Sequence, residues 1–156
     1  MRRSLFVWTL FSLGLLGADA AKPDFSGDWK MNPDKSSFGQ LPRPLAYDRH
    51  IEHKEPAIRM VARQSTQMGD QTVVTNMRTD GVETVNGTRT GDMKTVGRWD
   101  GRDLELTTTK QVDGGDAVTV ERWSLSADGK TLVSTTHVKT PRGIFDVRMV
   151  MDKVTQ

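Results

Sequence analysis

Met60, Met77, Met93, Met149 and Met151 stand at alternating positions within short runs rich in valine and threonine. Flexible, polarizable thioethers suit a cavity that adapts to varied apolar guests, and they serve equally well to fill a small interior. Thr75, Thr95, Thr108, Ser134 and Thr136 share the faces assigned inward, and buried hydroxyls need partners or water. Together these residues point to a hydrated pocket for a small apolar molecule. Tyr47, Arg49 and His53 form a second set, on one strand face with Ile51. A buried arginine requires an acceptor. Arg49 therefore either orients a ligand head group or sits at a strand end that projects into water. Arg122 joins this set only if a local irregularity turns it inward. His50 and His53 are three residues apart, which on a strand sends them to opposite faces, so they cannot hold one metal ion together. The sequence contains no Gly-x-Ser-x-Gly elbow, no His-Glu-x-x-His pair and no phosphate-cradling glycine loop. No catalytic residue, metal site or cofactor is expected from the residues themselves.

What positions these side chains is a series of short strands. Turn signals recur at Gly69-Asp70, Asp80-Gly81, Asn86-Gly87, Gly91-Asp92, Asp100-Gly101, Asp113-Gly114-Gly115, Asp128-Gly129 and Pro141-Arg142-Gly143. Asp-Gly and Asn-Gly suit tight hairpin turns, where the backbone takes positive φ. The runs between them predict strands at 27–31, 45–53, 57–64, 71–78, 82–86, 93–99, 103–110, 116–125, 131–139 and 144–153. No segment after residue 21 keeps a helical apolar period. Alternation puts Ile58, Met60 and Ala62 on one face, likewise Leu104 and Leu106, and Phe145, Val147, Met149 and Met151. One apolar and one wet face per strand is the antiparallel pattern. In 116–125 the valines at 118 and 120 are out of phase with Trp123 and Leu125, which predicts a bulge near Glu121-Arg122. Sequential hairpins that must hide their edges predict an all-β fold, a single up-and-down antiparallel barrel of about 8–10 strands.

The chain is long enough for one domain. Arg2 and Arg3 precede an apolar run, 5–16, too short to cross a bilayer, and Ala18-Asp19-Ala20 follows as a small-x-small cleavage pattern. Residues 1–20 are therefore expected to be a cleavable secretory signal, with the chain destined for the periplasm or the extracellular space. Residues 21–44 carry the first strand and a Pro-rich loop, and 45–156 complete the same domain. Without Arg2, Arg3 and Asp19 the basic residues number 20 and the acidic 19, so no nucleic-acid footprint remains. The absence of cysteine excludes disulfide frameworks and thiol chemistry.

Gly27-Asp28-Trp29 matches the Gly-x-Trp pattern that opens the first strand of lipocalins and fatty-acid-binding proteins. The downstream order of Asp80-Gly81, Gly91-Asp92, Trp99-Asp100-Gly101 and Val150-Met151-Asp152-Lys153 also resembles the intracellular fatty-acid-binding arrangement. The chain further resembles small secreted bacterial proteins that begin Phe-Ser-Gly-x-Trp-Lys-x-Asn-Pro. The resemblance implies a calycin-like barrel with Trp29 plugging one end. It also implies a structural role for Gly27, and for Arg148 either an outward position or a stacking one over Trp29. A haem ligand at His137 is one further role that such barrels allow. Two departures stand out. Residues 32–44 are too short for a helical lid, and the positions of the usual carboxylate anchor are Met149 and Met151.

These readings converge on non-covalent binding of a small hydrophobic ligand. The lining would comprise Tyr47, Arg49, Met60, Met77, Met93, Trp99, Arg122, Met149 and Met151. The alternative is a filled barrel that acts on a protein partner through the Pro-rich 32–44 segment. Stable membrane insertion is not expected once the signal is removed.

Overall fold

A computed structural model describes residues 21–155 of the chain; the expected signal segment, 1–20, lies outside the described residues. Ten antiparallel strands follow one another along the chain. They are β1 (Gly27–Met31), β2 (Ala46–Lys54), β3 (Ala57–Thr66), β4 (Gly69–Arg78), β5 (Thr84–Thr88), β6 (Gly91–Asp100), β7 (Asp103–Val112), β8 (Gly115–Leu125), β9 (Thr131–Thr140) and β10 (Gly143–Lys153). They form one sheet in the order β4-β3-β2-β1-β10-β9-β8-β7-β6-β5. β1 closes the circuit by pairing with both β2 and β10. The strand ends agree with the sequence expectation to within two residues, because glycines at Gly69, Gly91, Gly101, Gly114, Gly129 and Gly143 take the positive φ that the turns need.

The barrel is nearly closed, and the one seam lies between β4 and β5. A side chain bridges it: Asn86 Oδ1 accepts the Asn76 backbone N–H at 2.8 Å, and Asn86 Nδ2 donates to the Asn76 carbonyl at 2.9 Å. The carboxamide thus stands in for a strand backbone. Next to it the chain leaving β4 crosses β6 at Gly97, where a Cβ would lie 2.3 Å from the Arg78 carbonyl. Only glycine permits that approach.

The core sits at one end. Phe25 and Trp29 are fully buried, and Phe25 stacks on Trp99 and His53 and meets Trp123 edge-on. Ile51, Leu104 and Leu132 complete this floor, and Met31, Met60, Met77, Met149 and Met151 are buried against it. The turns 66–69, 88–91, 112–115 and 140–143 surround the opposite, open end.

Two expectations are corrected, and of the two positions open to Arg148 the outward one is found. Registers on both sides of β8 run unbroken, Leu104↔Trp123 to Val112↔Gly115 and Val118↔Lys139 to Leu125↔Leu132, so there is no bulge at Glu121-Arg122. Val118 and Val120 lie on the outer face, and Glu121 is the residue that turns inward. Arg122 consequently points outward, where Asp100, Asp103 and Glu105 surround its guanidinium. Arg148 also faces out and donates to the Lys35 carbonyl at 3.0 Å; the cation over Trp29 is Lys153, 5.2 Å from the ring centroid.

The 32–44 segment forms no helix. It loops out and rejoins β10, with Ser37 and Arg148 exchanging two backbone hydrogen bonds of 2.7 and 2.8 Å. That detour covers Val150, an outer-face residue that is nevertheless 3% exposed, and brings Phe38 against the core.

Candidate functional site

The barrel interior is layered, and strand alternation sets the layers. Met60 on β3, Met77 on β4 and Met149 on β10 form a buried apolar belt packed with the aromatic floor. Met151 lies lower, fully buried beside Met31 and Leu132 in the registers β1–β10 and β9–β10. Met93 is higher, half-buried and opposite Lys110. Trp99 belongs to the floor and donates from Nε1 to Glu55 at 3.0 Å.

Beside this belt lies a polar cluster. Arg49 on β2 is buried rather than at a wet strand end, and its Nη2 reaches Glu121 Oε1 on β8 at 2.8 Å. Its Nε donates to the Tyr47 hydroxyl at 2.9 Å, and its guanidinium lies 5.3 Å from the ring centroids of both Tyr47 and Trp123. Ser134 donates to the same Glu121 carboxylate. Burial drives the Glu121 pKa up, but the Arg49 charge and the Ser134 hydroxyl outweigh it and hold the carboxyl below its ordinary range. Burial likewise opposes the Arg49 charge, and Glu121 and Tyr47 more than compensate. Arg49 Nη1 and Trp123 Nε1 are buried without a hydrogen-bond acceptor. The indole N–H nevertheless adds to the field that keeps Glu121 ionised.

Sequence reasoning missed Glu121 entirely, because an inward carboxylate runs against the apolar alternation it relied on. The signal that finds it is Arg49. A buried arginine on one inner face demands an acid on another, and Glu121 supplies it in phase with Trp123. His53 is stacked in the floor, its Nδ1 accepting the Phe25 N–H at 3.2 Å and its Nε2 3.0 Å from Glu55. His137 lies on the outer face against Asp146, so it is not an interior haem ligand.

Toward the open end the inward-facing side chains become accessible. Thr108, Lys110, Thr119, Thr136, Val138, Phe145 and Val147 all point into the barrel, yet each is only partly buried. A barrel packed solid would bury them. At the mouth a cleft of about 680 Å³ is lined by Lys110, Val112, Thr140, Pro141 and Phe145, among others. That volume lies in the range of small-molecule sites.

No protein-family model matches the sequence, and no match to it is found among curated proteins. Similarity appears in three dimensions. The zebrafish ileal bile acid-binding protein, crystallised with cholic acid, is 16% identical and superposes with a TM-score of 0.57, covering 83% of this chain and 98% of that one. A secretory abundant heat soluble protein from Ramazzottius varieornatus gives 0.61 at 12% identity, over 88% and 100% of the two chains. A fatty acid-binding protein from Drosophila melanogaster brain gives 0.52 at 17% identity, over 83% and 99%. The fold is therefore the calycin-type barrel of the fatty-acid-binding arrangement. At these identities the likeness speaks for the fold alone.

Proposed function

We propose that this protein is a carrier or receptor that binds a small hydrophobic molecule non-covalently inside the barrel, through the open end. The observation that carries the reading is the partial exposure of inward-facing residues above a sealed aromatic floor. Apolar contact with Met60, Met77, Met93 and Met149 would supply most of the affinity, at roughly 25 cal/mol per Å² buried. The printed names of two solved neighbours, a bile acid-binding and a fatty acid-binding protein, support a binding role over a catalytic one. Export through residues 1–20 into the periplasm or the medium is part of the same proposal. It rests on the basic start, the short apolar run and the Ala18-Asp19-Ala20 pattern. Native mass spectrometry of residues 21–156 after incubation with a lipid extract tests the reading. A bound adduct lost on Met60→Lys supports it, whereas recovery of the bare chain mass alone refutes it.

A further inference from the structure

Strand alternation places three charged side chains on the inner face above the floor among the described residues: Arg49, Glu121 and Lys110. Arg49 and Glu121 neutralise each other at 2.8 Å, and Tyr47 takes a further guanidinium donor. Near the floor the Arg49 charge is already matched, and only its Nη1 N–H is left without an acceptor, so an inserted carboxylate would lie beside Glu121. Lys110 differs. Its Nζ donates to the hydroxyls of Thr88 at 3.1 Å and Thr90 at 2.7 Å, with no described carboxylate within ion-pairing reach. This cation stands at the mouth, four residues above Leu106 on the same face of β7, about 13 Å of extended strand.

The surroundings of Lys110 divide into two chemistries. Val112, Pro141 and Phe145 give the cleft apolar walls, while Thr90 and Arg142 add donors at its rim; Asp113 is the one acid there. Below lie Met93 and then the methionine belt. A polar, cationic rim over a cleft with apolar walls is the arrangement for an amphiphile that lies with its charge outward.

We infer that Lys110, steadied by Thr88 and Thr90, is the head-group anchor for a single-chain anionic amphiphile, bound tail-inward with its acidic oxygens at the mouth. This rests on the hollow-barrel reading proposed above. With its charge matched by Glu121, Arg49 offers the reverse orientation only its Nη1 N–H, and an acid buried there would meet the like charge of Glu121 with no further cation to balance it. Lys110 keeps the exchangeable charge where water can still solvate the head, so the acid binds without full desolvation.

Calorimetric titration of residues 21–156 with dodecanoate, dodecanol and dodecyltrimethylammonium separates the two levels of the argument. The wild-type chain should bind dodecanoate at least tenfold more tightly than the ammonium. Lys110→Met should erase most of that preference, and Lys110→Glu should reverse it. Dodecanol, which carries no charge, should still bind all three proteins and change far less than dodecanoate, and circular dichroism should show that the variants are folded. A dodecanoate preference that survives in Lys110→Met overturns the anchor while leaving the hydrophobic site standing. Failure of all three probes to bind the wild type ends the hollow-barrel reading and the anchor with it. Orientation is read from quenching, because Trp29, Trp99 and Trp123 all lie at the floor. An alkanoate dibrominated near its methyl end should quench them more than one dibrominated near its carboxyl, and the opposite order overturns the tail-inward pose.

Discussion

The guanidinium of Arg49 and the carboxylate of Glu121 meet at 2.8 Å across the inside of the barrel, although β1, β10 and β9 separate their strands along the sheet. The pair is thus an interior strut and not a cross-strand neighbour contact. Replacing Glu121 by glutamine leaves a buried guanidinium short of its counter-charge. Breaking a buried pair on one side typically costs about 3–5 kcal/mol. Urea unfolding of Glu121→Gln at neutral pH should show a loss of that size. The double replacement Arg49→Met with Glu121→Leu should recover most of it, since apolar substitutes for buried pairs are often neutral or stabilising.

The same carboxylate predicts how stability depends on pH. Glu121 is held below its ordinary value of 4.5 in the folded barrel, and Glu55 likewise, by the Thr79 hydroxyl and His53 against the opposing effect of burial. A depressed folded pKa adds stability that is present above the unfolded value and vanishes as pH falls through the folded one. The melting temperature should therefore hold steady above about pH 5 and decline below it. The Arg49→Met, Glu121→Leu double variant should decline less steeply. Equal slopes for the two proteins would show that Glu121 is not a linked group.

Asn86 is expected to control whether the β4–β5 seam stays shut. Its carboxamide makes both a donor and an acceptor bond to the backbone of Asn76, at 2.9 and 2.8 Å. Asn86→Ala removes both at once and exposes the free edge of β4, with a loss of about 1–3 kcal/mol. Hydrogen exchange should localise the effect, with the Asn76 amide losing protection while amides in β8 and β9 keep theirs. Asn86→Asp retains only the acceptor and should fall between the two.

Most of the barrel was legible in the sequence because hairpin turns and two-residue alternation are local signals. The glycine turns place nearly every strand, except that Asn86-Gly87 lies inside β5 and the turn follows it at 88–91, and the faces of β3, β7 and β10 are readable from apolar parity alone. β8 was misread for the same reason. Val118 and Val120 are apolar but lie outside, and Glu121 is charged but lies inside, so a rule based on side-chain polarity invented a bulge to reconcile them. Only a contact across the interior, from a residue 72 positions earlier, explains the phase. The Asn86 bridge and the return of Ser37 to β10 escaped notice on similar grounds, since each depends on which strands become neighbours. The five methionines were found as inward residues; their separation into a floor, a belt and a mouth depends on strand stagger, which alternation does not encode.

Two floor tryptophans differ in one hydrogen bond, and that difference is measurable. Trp29 Nε1 donates to the Phe25 carbonyl at 2.9 Å within the buried floor. Trp123 is equally buried, but its Nε1 has no acceptor in hydrogen-bond geometry. Substituting phenylalanine removes a similar volume at either site, so the packing losses are comparable. Trp29→Phe also strands the Phe25 carbonyl away from water, a penalty of about 1–3 kcal/mol. Trp123→Phe strands no carbonyl and removes a donor that has no acceptor in hydrogen-bond geometry, losing only its support of the Glu121 carboxylate. Denaturant unfolding of the two variants should therefore rank Trp29→Phe as the more destabilised by about 1–3 kcal/mol. The reverse ranking would mean that the Trp123 indole contributes more to holding Arg49 and Glu121 in place than its own unmet donor costs.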